Sequence, residues 1–322
     1  MSVRNRKNPM GHHKSLDVIV AGLAVTDIIG RPVDLKNLPK RGALKLIDSI
    51  TLTTGGNVSN VGIDLAKLGF TVAAITRVGN DALGNYVTQH YRAFGIDIAG
   101  MIVDARAQTS ATMVSVDKTG ERTFLHTRGC MKNFRAVDVL SRLPLLQKAR
   151  ILAVGYLGLL PETEREFGRL FRTVKEKTSV KILLDSAASP RVTPRALRGF
   201  LPYVDFFFPS YREAVLITGR TTPESIVEFL KRAGAPNVVG VKLGAQGCYL
   251  SDGHHAAYVK ARRVRRVIDA TGAGDAFVAG FIAGTLKGMD AFESAHVANA
   301  VAASCVSAVG ASTAIKTLRH YL

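Results

Sequence analysis

Tryptophan is absent from this chain of 322 residues, and cysteine is scarce. The three cysteines, Cys130, Cys248 and Cys305, lie far apart and form no CxxC pair, which disfavours a disulfide framework and a zinc cluster. This pattern predicts a reducing compartment, the cytoplasm. The longest apolar stretches, Val18–Val25 and Ile151–Leu160, are well short of the roughly 20 residues that cross a bilayer. We therefore expect no association with a membrane.

Acidic residues are also few. The chain has 25 Asp and Glu residues against 43 Lys and Arg residues, and its net charge is +18. Such an excess attracts anionic ligands, including nucleic acids and phosphorylated small molecules. The sequence contains no Cys/His finger, no RNP-type aromatic strand and no tryptophan on which a base could stack. We therefore expect no specific nucleic-acid partner.

Short apolar strands alternate with helical stretches along most of the chain, which predicts an α/β fold with a mainly parallel sheet covered on both faces. The strands are predicted at Leu16–Ala24, Val72–Val78, Ile151–Tyr156, Lys181–Asp185, Asp205–Pro209 and Val238–Lys242. Residues 1–14 are basic and lack an apolar segment. We expect a flexible tail over residues 1–15 and one domain over residues 16–322.

Two segments interrupt this alternation, at about residues 28–54 and 100–128. The first ends in the alternating stretch Leu46–Leu52, and the second alternates around the turn Asp117–Gly120, as a β-hairpin does. Together they predict a small β-sheet apart from the main one. Three roles are open for this sheet: a lid over a binding site, a purely structural flap, or a surface for homodimer formation.

A glycine-bearing turn near the C-terminal end, Asp269–Phe277, delivers an aspartate to the start of an apolar helix. The backbone amides of Ala273, Gly274 and Asp275 would be unpaired at this helix start, where the helix dipole also favours negative charge. A transferring phosphate fits there, and Asp275 would accept the proton of an attacking hydroxyl. The alternative is an ordinary connection in which Gly272 and Gly274 only permit a tight bend.

A second motif precedes a helix in the N-terminal half. Gly55 and Gly56 allow a ligand to approach the backbone closely, and Asn60 offers donor and acceptor groups to neighbouring hydroxyls. Asp27 follows the first predicted strand, at the carboxyl edge where open α/β sheets bind ligands. These four residues predict a site for a polyol. Taken singly, each has a structural alternative, as a loop-stabilising or surface residue.

Together these stretches resemble the signatures of the PfkB, or ribokinase-like, carbohydrate kinase family. The family pattern is Asp-Thr-x-Gly-Ala-Gly-Asp-x-Phe, and Ala270 stands here where a threonine is usual. The N-terminal signature has a double glycine, a nearby asparagine and a closing Leu-Ala-Lys-Leu-Gly, here Leu65–Gly69. The resemblance implies a three-layer ribokinase-like sandwich with a small β-sheet lid. It also implies transfer of the γ-phosphoryl group of ATP to a small sugar, with Mg²⁺.

The resemblance assigns the remaining site residues. It implies ATP contacts at Lys242, Gly244, Gly247, Thr271 and Asn299. The family usually shows Asn-x-x-Glu, whose Glu organises magnesium through water, and this chain has Ser210 in place of the Asn and retains Glu213. A monovalent cation, K⁺, is implied at Asp269.

The acceptor is left open, because family members act on ribose, fructose, 2-keto-3-deoxygluconate, sugar phosphates and nucleosides. Thr123, His126 and Arg128 could meet a carboxylate or phosphate, or could be exposed strand residues. The basic cluster from Lys260 to Val267 has two interpretations, the exposed face of a strand or a patch that attracts nucleotide. A catalytically silent ligand sensor on the same scaffold is the remaining alternative.

Overall fold

The computed structural model of the protein describes residues 16–187, 192–235 and 237–322, so the tail predicted for residues 1–15 lies outside the described residues. The strands are β1 Leu16–Gly22, β2 Val25–Arg31, β3 Ser49–Gly55, β4 Val72–Ile75, β5 Arg77–Gly79, β6 Ile102–Asp104, β7 Ala111–Val116, β8 Arg122–Thr127, β9 Ala149–Leu157, β10 Lys181–Ser186, β11 Phe206–Phe207, β12 Val238–Lys242, β13 Cys248–Ser251 and β14 Ala256–Val259. The helices are α1 Asn57–Leu68, α2 Ala82–Ala93, α3 Ala136–Leu140, α4 Leu143–Leu146, α5 Pro161–Glu164, α6 Phe167–Lys177, α7 Pro194–Phe200, α8 Tyr211–Thr218, α9 Pro223–Arg232, α10 Ala273–Leu286 and α11 Ala291–Cys305.

The main sheet has eight strands in the order β14-β13-β12-β11-β10-β9-β1-β4. Its strands are parallel except for β13 and β14, which pair antiparallel at one edge. The predicted mainly parallel sheet is therefore confirmed. The chain passes from β1 to β4 on one side and later continues from β9 on the other side of β1. Open α/β sheets bind ligands at the carboxyl ends of the strands where the order changes direction in this way.

Helices cover both faces of the main sheet and form two apolar cores. Helices α6 to α9 pack on one face, and α1, α2, α10 and α11 pack on the other. A Cβ at Gly280 or Gly284 would lie 2.7 Å from a backbone Cα of α11, so these glycines permit the close packing of α10 on α11. Among the described residues, no helix combines the length and apolar character that a bilayer span requires.

A second sheet of four strands, in the order β3-β2-β7-β8, stands apart from the main one. We call it the small sheet. The predicted hairpin over residues 110–126 is confirmed as β7 and β8. Strand β2 was not predicted, because residues from 28 onward were interpreted as a connection. The chain leaves the main sheet after Gly22, whose φ is +135°, and Asp27 therefore lies within β2 and not directly at the carboxyl end of β1.

Strand alternation gives the small sheet two distinct faces. One row across the four strands consists of Thr53, Asp27, Thr112 and His126. The next row, which faces the opposite side, consists of Leu52, Ile28, Met113 and Leu125. Thr123 is two residues from Leu125 and shares its exposed face, which favours the exposed-strand alternative for Thr123.

Two further predictions about strands require correction. The predicted strand Val72–Val78 is two strands, because β4 pairs with β1 in the main sheet whereas β5 pairs with β6. Between them, the hydroxyl of Thr76 donates to the carbonyl of Gly22 at 2.8 Å. No strand forms over Lys260–Val267, because β14 ends at Val259. The exposed-strand interpretation of the basic cluster is therefore wrong.

Candidate active site

The glycine-bearing turn places Asp275 in the first turn of α10, as the sequence predicted. Gly272 precedes the helix with a φ of +77°, a left-handed conformation that glycine adopts without strain. No acceptor is found among the described residues for the backbone amides of Gly274 and Asp275. The Ala273 amide was also expected to be unpaired, but it donates to the carbonyl of Ala270 at 3.3 Å, because the turn closes on itself there. Unpaired amides at the start of a 14-residue helix form an anion-binding position. We call this position the anion hole and residues 269–274 the anion-hole turn.

Asp275 is buried and is held by side chains from two other elements. Nδ2 of Asn60, on α1, donates to Oδ2 of Asp275 at 2.9 Å. The hydroxyl of Tyr156, at the carboxyl end of β9, donates to Oδ1 at 2.9 Å and to Oδ2 at 2.8 Å. Burial raises the pKa of Asp275, and the hydrogen bonds from Asn60 and Tyr156 oppose that rise. Asp275 is thus an oriented carboxylate beside the anion hole.

The residues predicted to hold the acceptor meet on the same side of the main sheet. A Cβ at Gly55 would lie 2.4 Å from Oδ2 of Asp27, and a Cβ at Gly56 would lie 2.3 Å from the carbonyl oxygen of Leu23. The double glycine therefore lets the chain pass directly against β2. Burial raises the pKa of Asp27, although the Thr112 hydroxyl and the charges of neighbouring basic groups oppose that rise.

Lys242 ends β12 and forms a buried ion pair beside the anion hole. Its Nζ lies 2.6 Å from Oδ1 of Asp185, the residue before the last in β10. A Cβ at Gly274 would lie 3.3 Å from the same Nζ, so the ammonium group borders the anion-hole turn. Burial raises the pKa of Asp185. For Lys242, burial opposes the charged form, but the Asp185 and Glu213 carboxylates outweigh this effect and raise its pKa.

Glu213, in the first turn of α8, is a further carboxylate near Lys242. Its Oε2 accepts hydrogen bonds of 2.8 Å from the Ser186 hydroxyl and from the Ser210 amide. Within the described ranges, no three His, Cys, Asp or Glu side chains group closely enough to hold a metal ion on their own. A Mg²⁺ ion bound through one or two carboxylates, water and phosphate oxygens requires no such group, so Glu213 and Asp185 fit this mode of binding.

A cavity of about 570 Å³ extends from the anion hole between α10 and α11. Its lining includes Lys242, Gly244, Gly247, Gly274, Phe277 and Asn299. Arg262 and Arg263 also line it, so part of the basic cluster contacts the predicted nucleotide pocket. Asn299 reaches the cavity while its Nδ2 donates to the carbonyls of Val259 and Lys260, at 3.1 and 3.2 Å.

Two residues of the anion-hole turn are bound to another part of the chain. Asp269 accepts the amide of Thr271 at Oδ1 and the amide of Gly310 at Oδ2, at 3.0 and 2.9 Å. Arg122, on β8, contacts Oδ2 of Asp269 and the hydroxyl of Thr271. The residues lining the cavity do not include Thr271, so its side chain lies outside the space predicted for ATP.

The model of the pfkB family of carbohydrate kinases matches residues 15–318. The chain belongs to this family. It is 30% identical to the 2-dehydro-3-deoxygluconokinase of Bacillus subtilis over 287 residues, which are 84% of this chain and 85% of that protein. It is 26% identical to the ribokinase of Haemophilus influenzae over 273 residues, covering 83% and 86% of the two chains.

Solved structures share the ribokinase-like fold. Arabidopsis thaliana ribokinase complexed with ribose and ATP matches with a TM-score of 0.81 at 23% identity, over 95% of this chain and 97% of that one. A putative ribokinase II from E. coli in complex with ATP and Mg²⁺ matches with a TM-score of 0.79 at 22% identity, with the same coverage. The predicted fold and enzyme class are confirmed: this pfkB-family protein is a carbohydrate kinase.

Three residues of the site were not predicted from the sequence. Tyr156 and Asp185 each end a predicted strand at the carboxyl edge of the sheet, the same signal that selected Asp27, and they could have been found by it. Arg122 lies in the predicted hairpin, 147 positions from Asp269. Nothing in its local sequence indicates this contact.

Proposed function

We propose that this pfkB-family kinase transfers the γ-phosphoryl group of ATP to a hydroxyl group of a small sugar, with Asp275 as the general base. One observation carries the assignment of the base. The buried carboxylate of Asp275 lies in the first turn of α10, beside the free amides of the anion hole, and is oriented by Asn60 and Tyr156. A base and a phosphate position thus share one helix start.

The acceptor is proposed to lie between Asp27, Gly55, Gly56 and Asn60, with its reacting hydroxyl at Asp275. A carboxylate has about four lone-pair sites, so Asp275 retains acceptor capacity beyond its bonds to Asn60 and Tyr156. As the hydroxyl oxygen bonds to the γ-phosphorus, its proton passes to Asp275 and the bond from the γ-phosphorus to the leaving ADP oxygen breaks. The position of Asp275 contributes more to the rate than its basicity does, because the transition state of phosphoryl transfer is loose.

ATP is proposed to occupy the 570 Å³ cavity, with its γ-phosphoryl group at the free amides of Gly274 and Asp275. Gly244, Gly247 and Asn299 would contact the nucleotide, and the Lys242 ammonium would border the phosphates. Thr271 would act through the backbone of the turn, since its hydroxyl contacts Arg122. Mg²⁺, held through water by Glu213 and by Asp185, would neutralise charge on the transferring oxygens.

The test is ADP release with Mg-ATP and a panel of ribose, fructose, 2-keto-3-deoxygluconate, fructose phosphates, adenosine and inosine. Each acceptor is run with the wild type, with Asp275→Asn and with Asp97→Asn, an exposed control far from the site. We expect Asp275→Asn to lower kcat by about 10²- to 10⁴-fold, as for loss of a general base. ATP affinity should stay within about threefold, because Asp275 is not proposed to bind the nucleotide. Normal turnover in Asp275→Asn refutes the assignment of the base.

Within the panel we propose an acidic sugar as the first candidate. His126 shares its row of the small sheet with Asp27, and Arg128 is close enough to influence the charge of His126. Together with the relative that phosphorylates 2-dehydro-3-deoxygluconate, these basic groups support an acceptor with a carboxylate. Preference for adenosine or a sugar phosphate would favour the alternative acceptors. If no acceptor gives ADP release but the protein still binds ATP, the result would favour a ligand sensor.

We also propose that the small sheet is the lid of this site and that its outer face forms a homodimer. The row containing Asp27 faces the acceptor, whereas Leu125 and Met113, in the outer row, are 68% and 60% exposed. Exposed apolar rows of this kind mark association surfaces. Sedimentation analysis of Leu125→Glu tests this, with Leu322→Glu, equally exposed at 68% but off the sheet, as the control. A dimer that survives Leu125→Glu excludes this face.

Two further expectations stay proposals. We propose the cytoplasm as the compartment, supported by the buried free thiols of Cys130, Cys248 and Cys305. K⁺ at Asp269 is a proposal from the resemblance alone, and the guanidinium of Arg122 competes with it for the same carboxylate. A comparison of turnover rates in K⁺ and in Na⁺ distinguishes a monovalent cation bound at Asp269 from the guanidinium of Arg122 as the partner of this carboxylate.

A further inference from the structure

Arg122 joins the small sheet to the anion-hole turn. It is the first residue of β8, and its guanidinium makes two contacts across the site. Nη1 donates to Oγ1 of Thr271 at 2.6 Å, and Nη2 donates to Oδ2 of Asp269 at 2.5 Å. The side chain of Asp269 is only 9% exposed and that of Arg122 is 22% exposed, so water screens this ion pair less than a surface pair.

Asp269 is the residue through which this contact reaches the phosphate position. Its carboxylate binds the Thr271 amide within the turn and the Gly310 amide in the loop after α11. Gly272 packs against that same loop, because a Cβ there would lie 2.4 Å from Cβ of Ala311. The orientation of Asp269 therefore sets the position of the turn whose next amides form the anion hole.

The charge of Asp269 requires a partner. Burial favours its neutral form, but the Gly310 and Thr271 hydrogen bonds and the charge of Arg122 outweigh burial and lower its pKa. The carboxyl is therefore ionised at neutral pH. Arg122 supplies the countercharge, and it does so from the small sheet and not from the main domain.

Arg122 also lies close to the proposed acceptor. Arg122 and His126 alternate with Leu125 on β8, which puts both on the face that carries Asp27. The charge of Arg122 acts on the Asp27 carboxyl as well as on Asp269. The guanidinium thus lies between the acceptor position and the anion-hole turn.

We propose that Arg122 is a positioning residue that makes alignment of the anion hole depend on seating of the small sheet over the acceptor. The proposal rests on the proposed function. With the sheet seated, Arg122 fixes Asp269 and Thr271, and the amides of the turn are aligned for the phosphoryl group. With the sheet displaced, Asp269 loses its countercharge and the turn loosens.

The structural half of the proposal is tested by hydrogen exchange of the protein without ligands. The variant is Arg122→Ala, and the matched control is Lys118→Ala, which removes an exposed positive charge from the same hairpin. We expect Arg122→Ala to speed exchange at least fivefold in the segments that contain the Thr271 and Gly310 amides, because both donate to Asp269. Lys118→Ala should leave these segments unchanged. Unchanged exchange in Arg122→Ala overturns the proposal, whether or not the protein proves to be a kinase.

The functional half is tested by acceptor-dependent ADP release. We expect Arg122→Ala to lower kcat at least about tenfold, as for loss of a hydrogen-bonded charge, with a much smaller change in the KM for ATP. Millimolar guanidinium should restore part of the rate. Faster exchange without a loss of kcat overturns the coupling to transfer.

A double-mutant cycle separates action through Asp269 from a general loss of structure. If Arg122 acts through Asp269, then Arg122→Ala combined with Asp269→Asn should be no slower than Asp269→Asn alone. Additive losses mean that the two residues act independently and overturn the proposal. Thermal melting of each variant, with Arg122→Lys as a conservative substitution, identifies any variant that has simply unfolded.

Discussion

The hydroxyl of Tyr156 provides the sharpest test of Asp275 as the general base. Tyr156→Phe removes only the oxygen that donates to both carboxylate oxygens of Asp275, at 2.9 and 2.8 Å, and retains the ring that packs against the core. The carboxylate then keeps the Asn60 bond alone. Because the Tyr156 hydrogen bond lowers the pKa of Asp275, its loss raises that pKa.

The size of the effect follows from the hydrogen bond. A hydrogen bond to a charged group contributes about 1.5–3 kcal/mol, so Tyr156→Phe should remove about that much stabilisation of the ionised Asp275 carboxylate and raise its pKa further. The base acts in its deprotonated form, so kcat falls as the pH drops through this pKa. The acidic limb of the kcat profile should therefore move to higher pH in Tyr156→Phe. Well above the limb, kcat should change little.

The assay is coupled ADP release at saturating Mg-ATP and acceptor, between about pH 4.5 and 9. The control is Tyr203→Phe, a half-buried tyrosine that packs against the core outside the proposed site. Its profile should match the wild type. An acidic limb that stays in place in Tyr156→Phe, or that moves to lower pH, means that Asp275 does not control this limb and refutes the assignment.

Two further substitutions test the anion-hole turn and the buried ion pair. Gly272→Ala should lower Tm and kcat more than Gly288→Ala does, because both glycines have left-handed φ but only at Gly272 would a Cβ clash, at 2.4 Å from Cβ of Ala311. Equal losses in melting and rate assays would mean that backbone conformation alone matters. Lys242→Met should destabilise the protein by about 3–5 kcal/mol in urea unfolding near pH 8, because it leaves Asp185 buried without its partner. That loss should shrink as the pH falls and Asp185 protonates, and a loss that is independent of pH would contradict this reasoning.

Some residues of the site could be identified before the fold was known. Gly272, Gly274 and Asp275 form a local pattern at the start of one helix, and their chemistry follows from backbone amides that a helix start leaves unpaired. In the same way, Gly55 and Gly56 indicate that another group can approach the backbone closely. These residues could be predicted from the sequence because the proposed chemistry depends on neighbours in the chain.

Other features depend on residues far apart in the chain. Asp27 was predicted at the carboxyl edge of the main sheet, just after the first strand, but a new strand begins beyond Gly22 and carries it into the small sheet. Lys242 was predicted from its loop, whereas its partner Asp185 lies 57 positions earlier, on β10, which β11 separates from β12 in the sheet. Strand order brings such residues together, and no local pattern encodes strand order.

The amino-acid sequence by itself determined the family, the mainly parallel sheet and the helix start that carries Asp275, because motifs and hydrophobic periodicity are local properties. Only the tertiary structure decided which side chains orient that carboxylate and which cation meets Asp269. Tyr156 and Arg122 come from different sheets, 119 and 147 positions from their partners, and packing of the two sheets places them there. Contacts of this kind follow from how the elements pack, which the sequence of each element does not specify.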